Sequence, residues 1–235
     1  MRLRRNRIPL ILFPAMKSTD THIQSAPAVL DRTALVAHGR RLEYFTIAWN
    51  GFEAVVALIS GILAGSISLV GFGLDSVIET ISAGTLLWRL NAEGDPLRRE
   101  PAERTAHRLV GVCFLLLAAY VDIASVRSLW IKAIPERSLP GILIAIAAIV
   151  VMPLLARSKR RIAAQLDSRA LHADSRQSDF CAYLSAILLA GLLAHAFLGW
   201  WWADPVAALA MTPFIAREGV QGLRGEGCDD CRCGH

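Results

Sequence analysis

Charge is what this chain has least of. Only 19% of its 235 residues are Asp, Glu, Lys or Arg, and 54% are hydrophobic, against about 25% and about 45–50% in ordinary soluble domains. The apolar excess is clustered, which points to membrane spans more than to an oversized core. Aromatic residues make up 7%, and the net charge of +5 comes from basic residues that fall between apolar runs. No basic patch interleaves with aromatics, so nucleic acid is not an expected partner. The five cysteines do not form a disulfide framework. Cys113 and Cys181 lie in apolar runs, while Cys228, Cys231 and Cys233 crowd the C-terminus, an arrangement that suits a reducing compartment or a bound metal. A cleaved leader is not expected either. "MRLRRNRIPLILFPAM" opens with basic residues, but Pro9 and Pro14 interrupt its apolar run, and the run is too short to span a bilayer.

What is present is six apolar segments, at about residues 44–64, 67–90, 109–130, 140–156, 174–198 and 205–216. Each approaches the roughly 20 residues that a spanning helix needs, the fourth and sixth being short. Placing the N-terminus in the cytosol puts 22 of the 25 Lys and Arg residues on the cytosolic side and leaves only Arg127, Lys132 and Arg137 outside. That bias is the positive-inside rule, and an odd number of spans would scramble it. The expected fold is therefore all-α: a polytopic membrane protein of six transmembrane helices with both termini cytoplasmic. Residues 1–42 form a basic, largely disordered segment in this reading, 43–217 the membrane domain, and 218–235 a short Cys-rich tail. Trp200, Trp201 and Trp202, between spans five and six, suit an interfacial aromatic belt.

Within the second segment, "GFGLDSVIET" places Asp75 and Glu79 four residues apart, which stacks both carboxylates on one helix face. Each charge in lipid costs about 2.5–3.5 kcal/mol on insertion scales. Two like charges a turn apart need protons or a cation to coexist, and hard or borderline divalent ions take such oxygen ligands. The start of the fifth segment, "LHADSRQSDFCAYLS", is the other stretch crowded with ligand types. On a helix Asp174, Gln177 and Cys181 share a face and Asp179 points away; His172 is expected to lie before the membrane. Asn50 and Glu53 in the first segment read as a hydrogen-bonded pair or a proton relay, and Asp122 in the third as a similar polar group. His195 reads as a packing residue, and Asp204 before Pro205 as the cap of the sixth helix. In the tail, Cys228, Cys231, Cys233 and His235 offer a cluster for transient metal capture.

These residues carry a resemblance. "AGSISLVGFGLDSVIETISAGTLLWRL" is similar to the second-helix signature of the cation diffusion facilitator (cation efflux) family, metal/proton antiporters with six transmembrane helices. "ADSRQSDFCAYLSAILLAGLL" and "GWWWADPVAALAM" resemble that family's fifth helix, outer turn and sixth helix. The resemblance implies a divalent ion held by an acid pair on helix two, here Asp75 and Glu79, and by a second pair four residues apart on helix five. One register puts Gln177 and Cys181 at those positions, the other Ser175 and Asp179; the first needs less adjustment before Asp204. Asp174, Asp179 and His172 stand as additional metal or access residues. The resemblance further implies proton-coupled efflux of Zn²⁺ or a similar ion (Co²⁺, Fe²⁺, Cd²⁺), no cofactor other than the transported metal, a homodimer, and a bacterial plasma membrane. It implies a member without the family's usual cytoplasmic domain after helix six. Two competing readings are a non-transporting membrane metal sensor or partner-binding protein using the Cys tail, and an intramembrane aspartyl protease pairing Asp75 with Asp122.

Overall fold

A computed structural model describes residues 26–91, 96–166 and 169–224 of the chain. All six elements are helices: α1 Ala26–Ala64, α2 Ile67–Asn91, α3 Pro96–Ile131, α4 Leu139–Leu166, α5 Arg169–Leu198 and α6 Ala203–Arg224. No strand occurs among the described residues, as expected where backbone polar groups must satisfy one another without water. Stretches of α1 to α5 are long and apolar enough to cross a membrane. The sixth helix, 22 residues interrupted by Pro213 and carrying Arg217, Glu218 and Arg224, is less apolar, and packs along α3. The bundle's outside is apolar: Ile62, Leu63, Trp130 and Phe197 are each at least 70% exposed. Surfaces of that kind belong against lipid rather than water.

The helices begin and end outside the expected spans. α1 is already helical from Ala26, so residues 26–42, expected to be largely disordered, extend the first span; Leu42 packs on the core and Glu43 is fully buried. α4 passes Pro153 and continues ten residues beyond the expected end at 156. α6 reaches Arg224, past the expected domain limit at 217. Residues 1–25 and the Cys-rich tail, with Cys228, Cys231, Cys233 and His235, lie outside the described residues.

Tight turns join α1 to α2 and α5 to α6 at what we call the turn end; the opposite end, which holds most of the basic residues among the described ones, is the basic end. Gly65 takes φ 64° in the first of these turns, a conformation that costs little only without a Cβ. The Asp204 carboxylate sits at the turn end too, but it does not cap its own helix as the sequence suggested. Its Oδ2 accepts the Ile67 N–H (2.8 Å) and its Oδ1 accepts the Ser66 and Ser68 hydroxyls (2.5 Å each). It thus caps α2, because the first turn of α6 lies against the orphan donors of α2. His195 Nδ1 lies 3.3 Å from the Trp200 carbonyl and steadies the α5–α6 turn.

α2 is the central helix. It packs against α1, α3, α5 and α6, and 56% of its apolar window is buried inside the bundle, against 33–39% for the other four spans. Acid side chains on this helix therefore have protein, not lipid, around them. Close helix approach makes this possible. A Cβ on Gly111 of α3 would lie 2.7 Å from the Gly219 carbonyl oxygen of α6, so the two backbones touch there, as small residues permit in membranes.

Candidate metal centre

The interior of α2 aims Asp75 and Glu79 at the bundle axis, one turn apart. Asp75 is 3% exposed and Glu79 6%. Across from them α5 presents Cys181, fully buried. One ligand atom from each of these three side chains can be drawn from a group lying within 4.8 Å of one another. Asp75 stands eight residues and Glu79 twelve from the turn-end start of α2, about 12 and 18 Å along the helix. In a hydrocarbon layer of roughly 30 Å that is near the midplane.

Two residues of α1 complete the surroundings, and not as the pair expected from sequence. Asn50 Nδ2 donates to Glu79 Oε2 at 3.0 Å, while its Oδ1 is buried without a hydrogen-bond partner. Glu53 bonds elsewhere: it accepts Trp49 Nε1 and Ser76 Oγ at 2.8 Å each, and the Cys181 thiol lies 3.7 Å from Glu53 Oε1. Three carboxylates and a thiol therefore share one buried space. Among the described residues no Lys or Arg forms an ion pair with any of the three acids. Unpaired buried carboxylates are costly, and a bound cation or protons would remove that cost. The donor set, two carboxylates and a thiol with a free amide oxygen beside them, suits a borderline divalent ion.

The remaining candidates separate along α5. Gln177 lies one turn nearer the basic end than Cys181, its Oε1 accepting Ser82 Oγ at 3.4 Å and its Nε2 buried without a partner. Asp179 points away and pairs with Arg160 through both guanidinium nitrogens, at 2.7 and 3.3 Å. Ser175, its counterpart in the alternative register, hydrogen-bonds the His172 carbonyl at 2.6 Å. His172 itself is exposed. Asp174 is bound by Lys159 of α4, which also reaches Glu43 of α1. Asp122 lies on the outer side of α3, lining a groove of about 420 Å³ with Ile123, Val126, Arg127, Trp130 and Ile131. It is not part of the cluster around Asp75.

Sequence reasoning passed over Glu43, Ser76 and Lys159. Lys159 stood in "RSKRRIAAQ" as one more cytosolic basic residue. Its signal was Ala156 and Ala163, three before and four after it, which mark a small-residue inward face.

A family profile described as the cation efflux transmembrane domain matches residues 44–225. Transmembrane protein 163 of Xenopus laevis is 28% identical over 145 residues, covering 58% of this chain and 48% of that one. An uncharacterized transporter, sll1263, of Synechocystis sp. is 26% identical over 168 residues, covering 69% of this chain and 54% of its own. The chain thus spans about half the length of these curated relatives.

Proposed function

The chain belongs to the cation efflux family; from that premise we propose that it is an integral membrane cation transporter that exports a divalent metal ion, Zn²⁺ foremost, in exchange for protons. The observation that supports this reading is the meeting of Asp75, Glu79 and Cys181 in one buried cluster on α2 and α5. In this reading the two carboxylates and the thiolate hold the ion, and the unpartnered Asn50 Oδ1 supplies a neutral fourth oxygen. The Asn50 amide also fixes one Glu79 oxygen, leaving the other to the ion. Glu53 and Ser76 hold Cys181 in place from behind. Gln177 stays a turn away as part of the path.

The coupling follows from ligand chemistry. Carboxylates and a thiol bind metal only when deprotonated, so binding releases protons and affinity rises with pH. An ion captured from the cytosol displaces protons; on the other side, entering protons displace the ion. Both ends of the described chain then face the cytosol, where the basic residues gather.

The experiment is ion flux in proteoliposomes with a pH-sensitive dye inside. Replacing Asp75 or Glu79 by Ala should abolish both Zn²⁺ flux and the coupled proton movement. Retained flux in both variants would overturn the assignment. The family is one of transporters and not of enzymes, and Asp122 sits on the outer side of α3 rather than facing Asp75.

A further inference from the structure

Toward the basic end from the metal centre lies a second buried charged cluster. Asp174 precedes Cys181 by seven residues on α5, and Glu43 precedes Asn50 by seven on α1, so both acids stand two turns, about 10 Å, from the centre. Between them reaches Lys159 of α4. Its ammonium contacts Asp174 Oδ2 and lies 3.4 Å from Glu43 Oε1 and Oε2. Lys159 and Glu43 are fully buried, and Asp174 keeps 11% exposure. Glu43 Oε1 makes no hydrogen bond. Beyond the cluster, Ile162, Ala163 and Leu171 pack with Leu42 and Leu166.

Two features point beyond a structural staple. The cluster has two acids for one base, so its formal charge is −1, and the lysine leaves one buried carboxylate oxygen without a hydrogen bond. A desolvated pair with a surplus acid is a poor source of stability, whereas two carboxylates from separate helices are a suitable cradle for a divalent cation.

We propose that Glu43 and Asp174 form an access site for the divalent ion on the basic-end path, in which the Lys159 ammonium is the resident cation that the incoming ion displaces. This rests on the ion reading of Asp75 and Glu79, but it can be tested without it. A single-charge tethered cation gives way to a doubly charged one and returns once the ion moves inward, so the site never holds the ion tightly.

The binding test uses full-length protein carrying Asp75→Asn and Glu79→Gln, with Mn²⁺ as the probe because it prefers oxygen over the tail thiols. Electron paramagnetic resonance reads bound Mn²⁺. Adding Lys159→Gln should tighten Mn²⁺ binding by at least about tenfold, and adding Lys159→Arg should leave it as it was. Further removal of Glu43 and Asp174 as Gln and Asn should abolish the gain. No gain with Lys159→Gln overturns the proposal. If the two-site parent, with Lys159 intact, already binds Mn²⁺ as tightly as the unmodified protein, the reading of Asp75 and Glu79 fails instead. A flux test covers the case in which Lys159→Gln does not fold. In otherwise unmodified protein, Glu43→Gln should raise the KM for Zn²⁺ about tenfold with kcat nearly unchanged, and Arg160→Gln, on the neighbouring surface pair, should change neither. A fall in kcat at constant KM for Glu43→Gln marks a structural role and contradicts the proposal.

Discussion

In the proposed metal centre, Cys181 is the side chain that would set the ion preference. Its thiolate is a soft ligand beside two hard carboxylates, so exchanging it for Ser should shift preference rather than erase transport. We expect Cys181→Ser to lower Cd²⁺ flux about tenfold more than Mn²⁺ flux, measured side by side in the same vesicles; equal losses for both ions would remove the thiol from the site. In the proposed site Asn50 serves the same ion twice, through its Oδ1 as a ligand and through its amide on Glu79. Asn50→Ala removes that neutral oxygen and frees the carboxylate oxygen that the amide holds at 3.0 Å, and metal affinity should fall by at least the roughly 10- to 100-fold that losing an outer-shell partner alone costs. Calorimetry on the purified protein checks this. At this scale Asp75 and Glu79 were legible, because a four-residue spacing of acids in an apolar run has few other physical meanings. Cys181 was legible only with a choice of register. The partners of Asn50 and Glu53 were not, because both sit on the same stretch of α1 and only the rotation of that helix against α2 decides which acid each one meets.

Among the elements, α2 and the α3–α6 pair carry the architecture. α2 lies in contact with four other helices, and Asp204 of α6 ties down its first turn. The Gly111–Gly219 contact leaves no room for a Cβ, since the nearest atoms are backbone. Gly111→Val should therefore separate α3 from α6 and lower thermal stability by several degrees, on the order of 1–3 kcal/mol for an overpacked contact; a fluorescence melt in detergent reads the change. An unchanged melt would mean that the two helices do not meet at this point. The helices themselves could be read from their apolar runs, but their ends could not. The fourth span was expected to end with its apolar run at 156, yet α4 passes Pro153 and runs on to Leu166; a proline removes only one hydrogen bond and can be tolerated in a packed membrane helix. The extra turns are what bring Lys159 to Glu43. The basic "RSKRR" run read as cytosolic because four of its five residues are charged, while the burial of Lys159 is set by tertiary packing.

For the whole molecule, six helices with short turns at one end place the start of α1 and the end of α6 at the other. In the sequence, 22 of the 25 Lys and Arg residues fall on that side of the spans, which leads us to expect that end in the cytosol. Reporter fusions at residues 26 and 224 should both read as cytosolic in intact cells; opposite sides would break the six-span arrangement. The fold class followed from hydropathy and charge asymmetry, whereas the convergence of α1, α2, α4 and α5 on one polar axis needed three dimensions. The most direct test of the metal centre is X-ray absorption on Zn²⁺-loaded intact protein in which Cys113, Cys228, Cys231 and Cys233 are replaced by Ser and His235 by Ala. One sulfur at about 2.3 Å with oxygen neighbours at about 2.0–2.2 Å is predicted, the sulfur vanishing in Cys181→Ser and the ion itself in Asp75→Ala/Glu79→Ala. An ion bound by light atoms alone, or one retained when both acids are gone, would contradict the account.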